Sequence, residues 1–134
     1  IRVASRKDPI FNVFGGDWPT KDGTGIRDYI HVMDLAEGHL AALKFLKINI
    51  AQFIHLNLGT GKGTSVLELI NTFEEVNKCK IPFQITNRRE GDVSKLVAKN
   101  KFALKTLNWF PTRSLEDMCK DGWKWQINNQ NGYA

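Results

Sequence analysis

What most constrains this chain is an alternation. Short β-branched and aromatic runs stop at glycine or polar residues, and capped stretches with apolar residues at helical spacing lie between them. Ile10-Phe11-Asn12-Val13-Phe14 stops at Gly15-Gly16, and Phe53-Ile54-His55-Leu56-Asn57-Leu58 stops at Gly59. Phe83-Gln84-Ile85-Thr86 runs into polar Asn87 and Arg88. Each reads as a strand. Asp34 stands as a helix N-cap with Glu37 in the capping-box position, and Leu35, Ala36, Leu40, Leu43 and Leu46 predict a helix to about Lys47. Thr64 or Ser65 caps a second helix carrying Val66, Leu69, Ile70, Phe73 and Val76. Ser114, followed by Glu116 and Asp117, opens a last helix expected to bury Leu115, Met118, Trp123 and Ile127. Strands alternating with helices predict an α/β fold.

Between these elements the reading is finer. Residues 1–8 read as the end of a helix. Residues 15–25 hold four glycines with Asp17, Pro19, Thr20 and Asp22, and form a loop. Residues 26–32 are mostly apolar and read as a strand carrying Arg27, Asp28 and His31. A short extended piece is expected over 95–98, a short helix over about 100–107, and fraying over 128–134. There is no internal repeat, and residues 1–134 read as one unit.

Bulk properties narrow the function classes. A chain 42% hydrophobic and 10% aromatic suits a globular protein rather than a disordered tail. No apolar run approaches the roughly 18 residues a membrane span needs, and the start lacks a signal-peptide pattern. Opening on Ile1, the chain is expected to begin inside a longer protein. Cys79 and Cys119 are far apart and form no CxxC pair, so they read as reduced thiols of a cytoplasmic protein. The net charge of +5 lies largely in scattered lysines, without interleaved aromatics, which is the pattern of a solvated face. Neither nucleic acid nor membrane is an expected partner. His31, His39 and His55 lack metal-site spacing, so no metal is expected; His39 on a helix and His55 in a strand read as structural. Gly59-Thr60-Gly61-Lys62-Gly63-Thr64 meets neither the Walker nor the dinucleotide pattern, and a tight strand-to-helix turn suits it better than phosphate binding.

Two charged segments need explanation. Arg27 and Asp28 lie in an apolar run, where charges require partners. They form either an internal ion pair, or a site in which Arg27 emerges beside the glycine loop to grip a diphosphate with its planar fork. Arg88-Arg89-Glu90-Gly91-Asp92 is either an exposed turn with local salt bridges, or a turn that places an arginine on phosphate and a carboxylate on ribose.

Taken together, Phe14-Gly15-Gly16, the Pro19-Thr20-x-Asp22-Gly23-Thr24 run, Arg27-Asp28-Tyr29-Ile30-His31-Val32-x-Asp34, Asn57-Leu58-Gly59, Ser65-Val66-Leu67-Glu68, Arg88 to Asp92 and Leu107-Asn108-Trp109 resemble the UDP-glucose 4-epimerase family. That family is a branch of the extended short-chain dehydrogenases. Trp123, Trp125 and Gly132-Tyr133 continue the likeness. Related dehydratases share the Arg27-to-Asp34 pattern but usually lack the lead over 19–24.

The resemblance implies the carboxy-terminal, UDP-sugar-binding part of an NAD-dependent enzyme that interconverts UDP-glucose and UDP-galactose, often as a homodimer. It implies that Asn12, Val13 and Phe14 meet uracil through the backbone, that Arg27 and Arg89 hold the diphosphate, and that Asp92 accepts from ribose. Glu90 and Gly91 belong to the same turn, Leu96 stands beside the sugar ring, and Tyr29 lines the cleft. The family's catalytic Tyr-x-x-x-Lys and NAD glycine motif have no counterpart here: Tyr29 is followed four positions on by Met33. No catalytic and no cofactor-binding residue is therefore expected in this chain. A dehydratase or decarboxylase of the same superfamily is the nearest alternative, and a basic nucleic-acid module the more distant one.

Overall fold

The structure, a computed structural model, describes residues 1–48 and 53–132. In chain order the elements are β1 (Phe11–Phe14), β2 (Ile26–Arg27), α1 (Val32–Ile48), β3 (Thr64–Ser65), α2 (Val66–Asn77), β4 (Phe83–Thr86), β5 (Lys95–Leu96), α3 (Lys101–Leu107) and α4 (Leu115–Asn128). β1 pairs in parallel with β4, Phe11 opposite Phe83 and Phe14 opposite Thr86. In the other sheet β2 is central, antiparallel to β3 and parallel to β5, with Arg27 opposite Leu96.

The core forms where α2 packs on α4. Ile70 and Phe73 of α2 and Cys119 of α4 are buried with Val3, Val13 and Ile81, and the Phe73 and Trp123 rings meet edge to face at 5.9 Å. Both helices begin with a complete capping box, Ser65 with Glu68 and Ser114 with Asp117. Because strand side chains alternate, Val13 enters this core at 1% exposure while Asn12 and Phe14 face outward. That alternation leaves the outer face of β1 open.

Several expectations need correction. Residues 1–8 form hydrogen-bonded turns rather than a helix, and Arg6 adopts a left-handed φ of 60°. The strand expected over 26–32 ends at Arg27, because the Asp28 carboxylate turns to the amides of Thr60 and Gly61. Residues 53–58 are not a strand. Ile54, Leu56 and Leu58 are half-buried and their neighbours exposed, as the alternation predicts, yet no described strand pairs with them; His55 instead packs against Phe53. In α4, Ile127 is 51% exposed while Cys119 and Gln126 are buried. Burial pushes the Cys119 thiol up to about 11, and both cysteines are free. Asn128, expected in a frayed end, is the last residue of α4, and a hydrogen-bonded turn follows in which Gly132 N donates to Asn129 O at 3.0 Å; Tyr133 lies outside the described residues.

The start of α1 carries the most informative correction. His31, not Asp34, receives the helix amide: its Nδ1 accepts from Met33 N at 3.0 Å, and its Nε2 lies 3.2 Å from Asp121. Asp34 is fully buried inside the first turn and accepts from Arg113 N at 3.0 Å, from Thr112 Oγ1 and from the Arg113 guanidinium. Glu37, expected in a capping box, pairs with the same guanidinium at 2.8 Å. Burial pushes the Asp34 carboxyl up, but the Arg113 and Thr112 bonds outweigh it and hold the group below its usual range. A depressed folded-state value contributes stability above the unfolded value of about 3.9, and that stability is lost as pH falls through the folded value. Asp34→Asn should therefore cost about 2 kcal/mol near pH 7. Thermal unfolding of the full-length protein should show the gap from wild type closing as pH falls below about 4. A gap independent of pH would assign the loss to packing instead.

Candidate functional site

Most of the expected site residues gather on the open side of β1. Past the end of the parallel pair, Gly15 N donates to Thr86 O at 2.9 Å and the chain enters the loop over 15–25. The Pro19-to-Thr24 run is a knot of internal bonds. Asp22 accepts from Thr24 N at 2.9 Å, from Thr24 Oγ1 at 2.8 Å and from the Ser65 hydroxyl at the head of α2. Thr20 Oγ1 donates to Thr24 O at 2.7 Å, and Thr24 is fully buried. Gly23 has φ +79°, and a Cβ there would come 2.3 Å from Gly16 O, so only glycine closes the loop. The run thus fixes where β2, and with it Arg27, leaves the loop.

Arg27, Arg89 and Asp92 come together. Arg27 Nη1 donates to Ile26 O at 2.8 Å and Val93 O at 2.9 Å, while its Nη2 lies 3.6 Å from Asp92 Oδ1. Arg89 Nε donates to Asp92 Oδ2 at 3.0 Å, and the Arg89 guanidinium lies over the Phe14 ring at 4.6 Å. Two guanidinium groups against one carboxylate leave a net positive, half-exposed cluster beside an aromatic ring. Such a cluster can take an anion through charge-assisted bonds. The local salt bridge expected in the turn is present, Arg89 to Asp92, whereas the internal pair expected between Arg27 and Asp28 is not: Arg27 faces Asp92, and Asp28 accepts from the Thr60 and Gly61 amides.

The remaining residues fall around this cluster. Asn12 Oδ1 accepts from Gln84 Nε2 at 2.8 Å across the strand pair. Glu90 and Gly91 are exposed in the turn, Gly91 at φ +80°. Leu96 is 64% exposed, so it does not pack inward; with Arg27, Asn57 and Lys99 it lines a cavity of about 480 Å³. Tyr29 is not brought to that cavity. It borders an apolar one of about 520 Å³ with Phe11, Leu69 and Phe73, and burial pushes its phenol above the usual range, with Arg27 pulling the other way.

Sequence reasoning missed the role of Arg88. Its guanidinium stacks on Trp18 at 3.9 Å and donates to Asp17 Oδ1 at 2.8 Å and to Asp17 O at 2.7 Å, tying the glycine loop to the arginine turn. No local signal pairs residues 71 positions apart. Asn57 and Lys99 were likewise invisible as lining residues. Among the described residues no group of His, Cys, Asp and Glu could hold a metal ion.

A family model described as GDP-mannose 4,6 dehydratase matches residues 1–122. The chain is 47% identical over 133 residues to the UDP-glucose 4-epimerase of Dictyostelium discoideum, covering 99% of the chain and 39% of that protein. It is 48% identical over 132 residues to that of Bacillus subtilis, covering 98% of the chain and 39% of that protein. A crystal structure of UDP-glucose 4-epimerase from Stenotrophomonas maltophila, with bound NAD and formylated UDP-arabinopyranose, superposes with a TM-score of 0.91 at 50% identity, over 95% of this chain and 38% of that one. The Bifidobacterium longum enzyme in complex with NAD+ and UDP gives 0.92 at 41% identity, over 98% and 39%. The chain therefore spans about 39% of the length of the curated relatives it matches. Its α/β fold is that of the carboxy-terminal part of an extended short-chain dehydrogenase. On the family match over residues 1–122, the chain belongs to the family described as GDP-mannose 4,6 dehydratase, and the relatives it resembles there are UDP-glucose 4-epimerases.

Proposed function

We propose that this chain is the UDP-binding part of an NAD-dependent 4-epimerase that interconverts UDP-glucose and UDP-galactose. The observation that carries the reading is the convergence of Arg27 and Arg89 on Asp92 beside the open face of β1. Arg27 and Arg89 bind the diphosphate, and Asp92, held between them, accepts from the ribose hydroxyls. β1 pairs only with β4 among the described strands, so the backbone of Asn12, Val13 and Phe14 offers an edge to uracil. Glu90 and Gly91 shape the turn that presents Arg89. The sugar lies toward Leu96 and the cavity it lines with Arg27.

The residues present do not fit NAD. Its pyrophosphate needs a cradle of glycine amides, and the glycine loop over 59–61 has committed its amides to Asp28. No step of the redox chemistry is assigned to this chain; NAD belongs to the intact protein. Free Cys79 and Cys119 accord with a reducing, cytoplasmic setting. No described helix is long and apolar enough to cross a membrane. A homodimer, the form many members of the resembling family take, is the assembly proposed.

Product analysis tests the reading. Full-length protein given UDP-galactose should yield UDP-glucose, and a dehydrated or decarboxylated sugar would replace it with another reaction of the superfamily. The same assay reads Leu96. An acetamido group would meet this branched apolar side chain, and excess volume in a packed site costs about 1–3 kcal/mol. The preference in kcat/KM for UDP-galactose over UDP-N-acetylgalactosamine should fall about tenfold in Leu96→Ala and rise in Leu96→Tyr. If neither variant moves the ratio, Leu96 is not a gatekeeper.

A further inference from the structure

The glycine loop over 59–61 has the appearance of an anion nest, and its anion is part of the chain. Asp28 Oδ1 accepts from Thr60 N at 2.9 Å and from the Thr60 hydroxyl, and Asp28 Oδ2 accepts from Gly61 N at 2.9 Å and from Ala98 N at 3.2 Å. The loop is built to this carboxylate. A Cβ at Gly59 would come 2.7 Å from Asp28 Oδ2 and 2.6 Å from the Ala98 Cβ. Gly61 holds φ +73°, and a Cβ there would come 2.9 Å from Asn100 Oδ1. Asn100, itself buried, donates to Gly59 O at 2.8 Å and closes the loop from its other side.

This clamp sits where the sheet is weakest. β2 and β5 pair over only two residues each, Ile26 with Lys95 and Arg27 with Leu96. A ladder that short specifies register poorly. Asp28 directly follows β2, and its bond to Ala98 N ties the chain beyond β5 to the chain beyond β2. The same carboxylate ties both to the loop over 59–61. Arg27 and Leu96, opposite each other in that register, are thereby held at the cavity they share. Resting on the assignment of Arg27 to the diphosphate, we propose that Asp28 is a positioning residue: by filling the Gly59–Gly61 nest with an internal carboxylate, it sets the register that aims Arg27 at the diphosphate.

The test uses the full-length protein with UDP and uridine as probes. Asp28→Asn keeps the shape but puts an amide NH2 against backbone donors, so it should weaken UDP binding about tenfold. Uridine, which has no diphosphate, should bind as before. In the Arg27→Ala background, Asp28→Asn should add little further loss, because both changes act through one guanidinium. A second pair guards against misfolding: Thr60→Val removes one bond to Asp28 and should weaken UDP binding a few-fold, and Thr60→Ser should restore it. Equal losses for UDP and uridine, full additivity with Arg27→Ala, or a lowered Tm with wild-type UDP affinity would each make Asp28 merely structural and overturn the proposal. Failure of wild type to bind UDP, or wild-type affinity in Arg27→Ala, would overturn the underlying functional reading instead, and the role of Asp28 with it.

Discussion

Purified alone, the 134-residue chain is expected to leave UDP-glucose and UDP-galactose unconverted. Epimerisation at C4 requires a base that takes and returns a proton, and a positioned general base contributes about 10²- to 10⁴-fold. The chain has two tyrosines and no Tyr-x-x-x-Lys. Tyr29 borders an apolar cavity, and burial raises its phenol's pKa above the usual range, opposite to what a general base at pH 7 needs. Cofactor binding is expected to fail for a separate reason, since the amides of Thr60 and Gly61 in the glycine-rich turn over 59–61 already hold the Asp28 carboxylate. Either defect is expected to hold turnover at background. An assay coupling UDP-glucose formation to its oxidation should read background with the chain alone and turnover with the full-length protein. Detectable conversion by a chain preparation free of contaminating epimerase would sink the expectation.

The parts of the fold that the sequence made legible are those in which chemistry acts locally. Ser114 caps its helix as read, and Ser65 does so from the two candidates Thr64 and Ser65, because hydroxyl, amide and acidic partner lie within three residues. β1 and β4 were found from composition and a glycine or polar stop. Asp34 was misread for the complementary reason. Its position suits a cap, but the decisive partner is Arg113, 79 residues on, and tertiary pairing won over local capping. Residues 53–58 carry strand alternation without a described neighbour to complete a ladder, and periodicity cannot report a neighbour.

The candidate site divides in the same way. Arg27, Arg89 and Asp92 could be nominated because charges in apolar or glycine-bounded settings need partners, and the structure brings each arginine within 3.6 Å of Asp92. The Asp28 clamp was hidden behind an apparent phosphate loop. Its glycines were visible in the sequence, but the anion they hold lies about thirty residues upstream. Arg88 was read with its neighbours, yet its stacking on Trp18 depends on the parallel pairing of β1 with β4, which no spacing in the sequence encodes.

Arg89→Ala should weaken UDP binding by the full-length protein about 10- to 100-fold, since a charge-assisted bond to phosphate contributes about 1.5–3 kcal/mol. Arg89 is suited to this role by what holds it. One face of its guanidinium covers Phe14 at 4.6 Å, and its Nε engages Asp92 at 3.0 Å. The group is oriented before any ligand arrives, so little freedom remains to be lost on binding. Lysine cannot reproduce that arrangement, because an ammonium has no planar face for the ring and no fork for two oxygens. Arg89→Lys should therefore recover only part of the loss. Arg27→Ala should act in the same direction. Asp92→Ala should cost less, because it removes contacts to ribose hydroxyls while releasing both arginines from a competing carboxylate. Calorimetric titration with UDP and with uridine separates these effects: the arginine variants should lose affinity for UDP and keep it for uridine, whereas Asp92→Ala should lose affinity for both. Wild-type UDP affinity in Arg89→Ala, with thermal unfolding unchanged, would reduce Arg89 to a surface partner of Asp92 and move the diphosphate elsewhere.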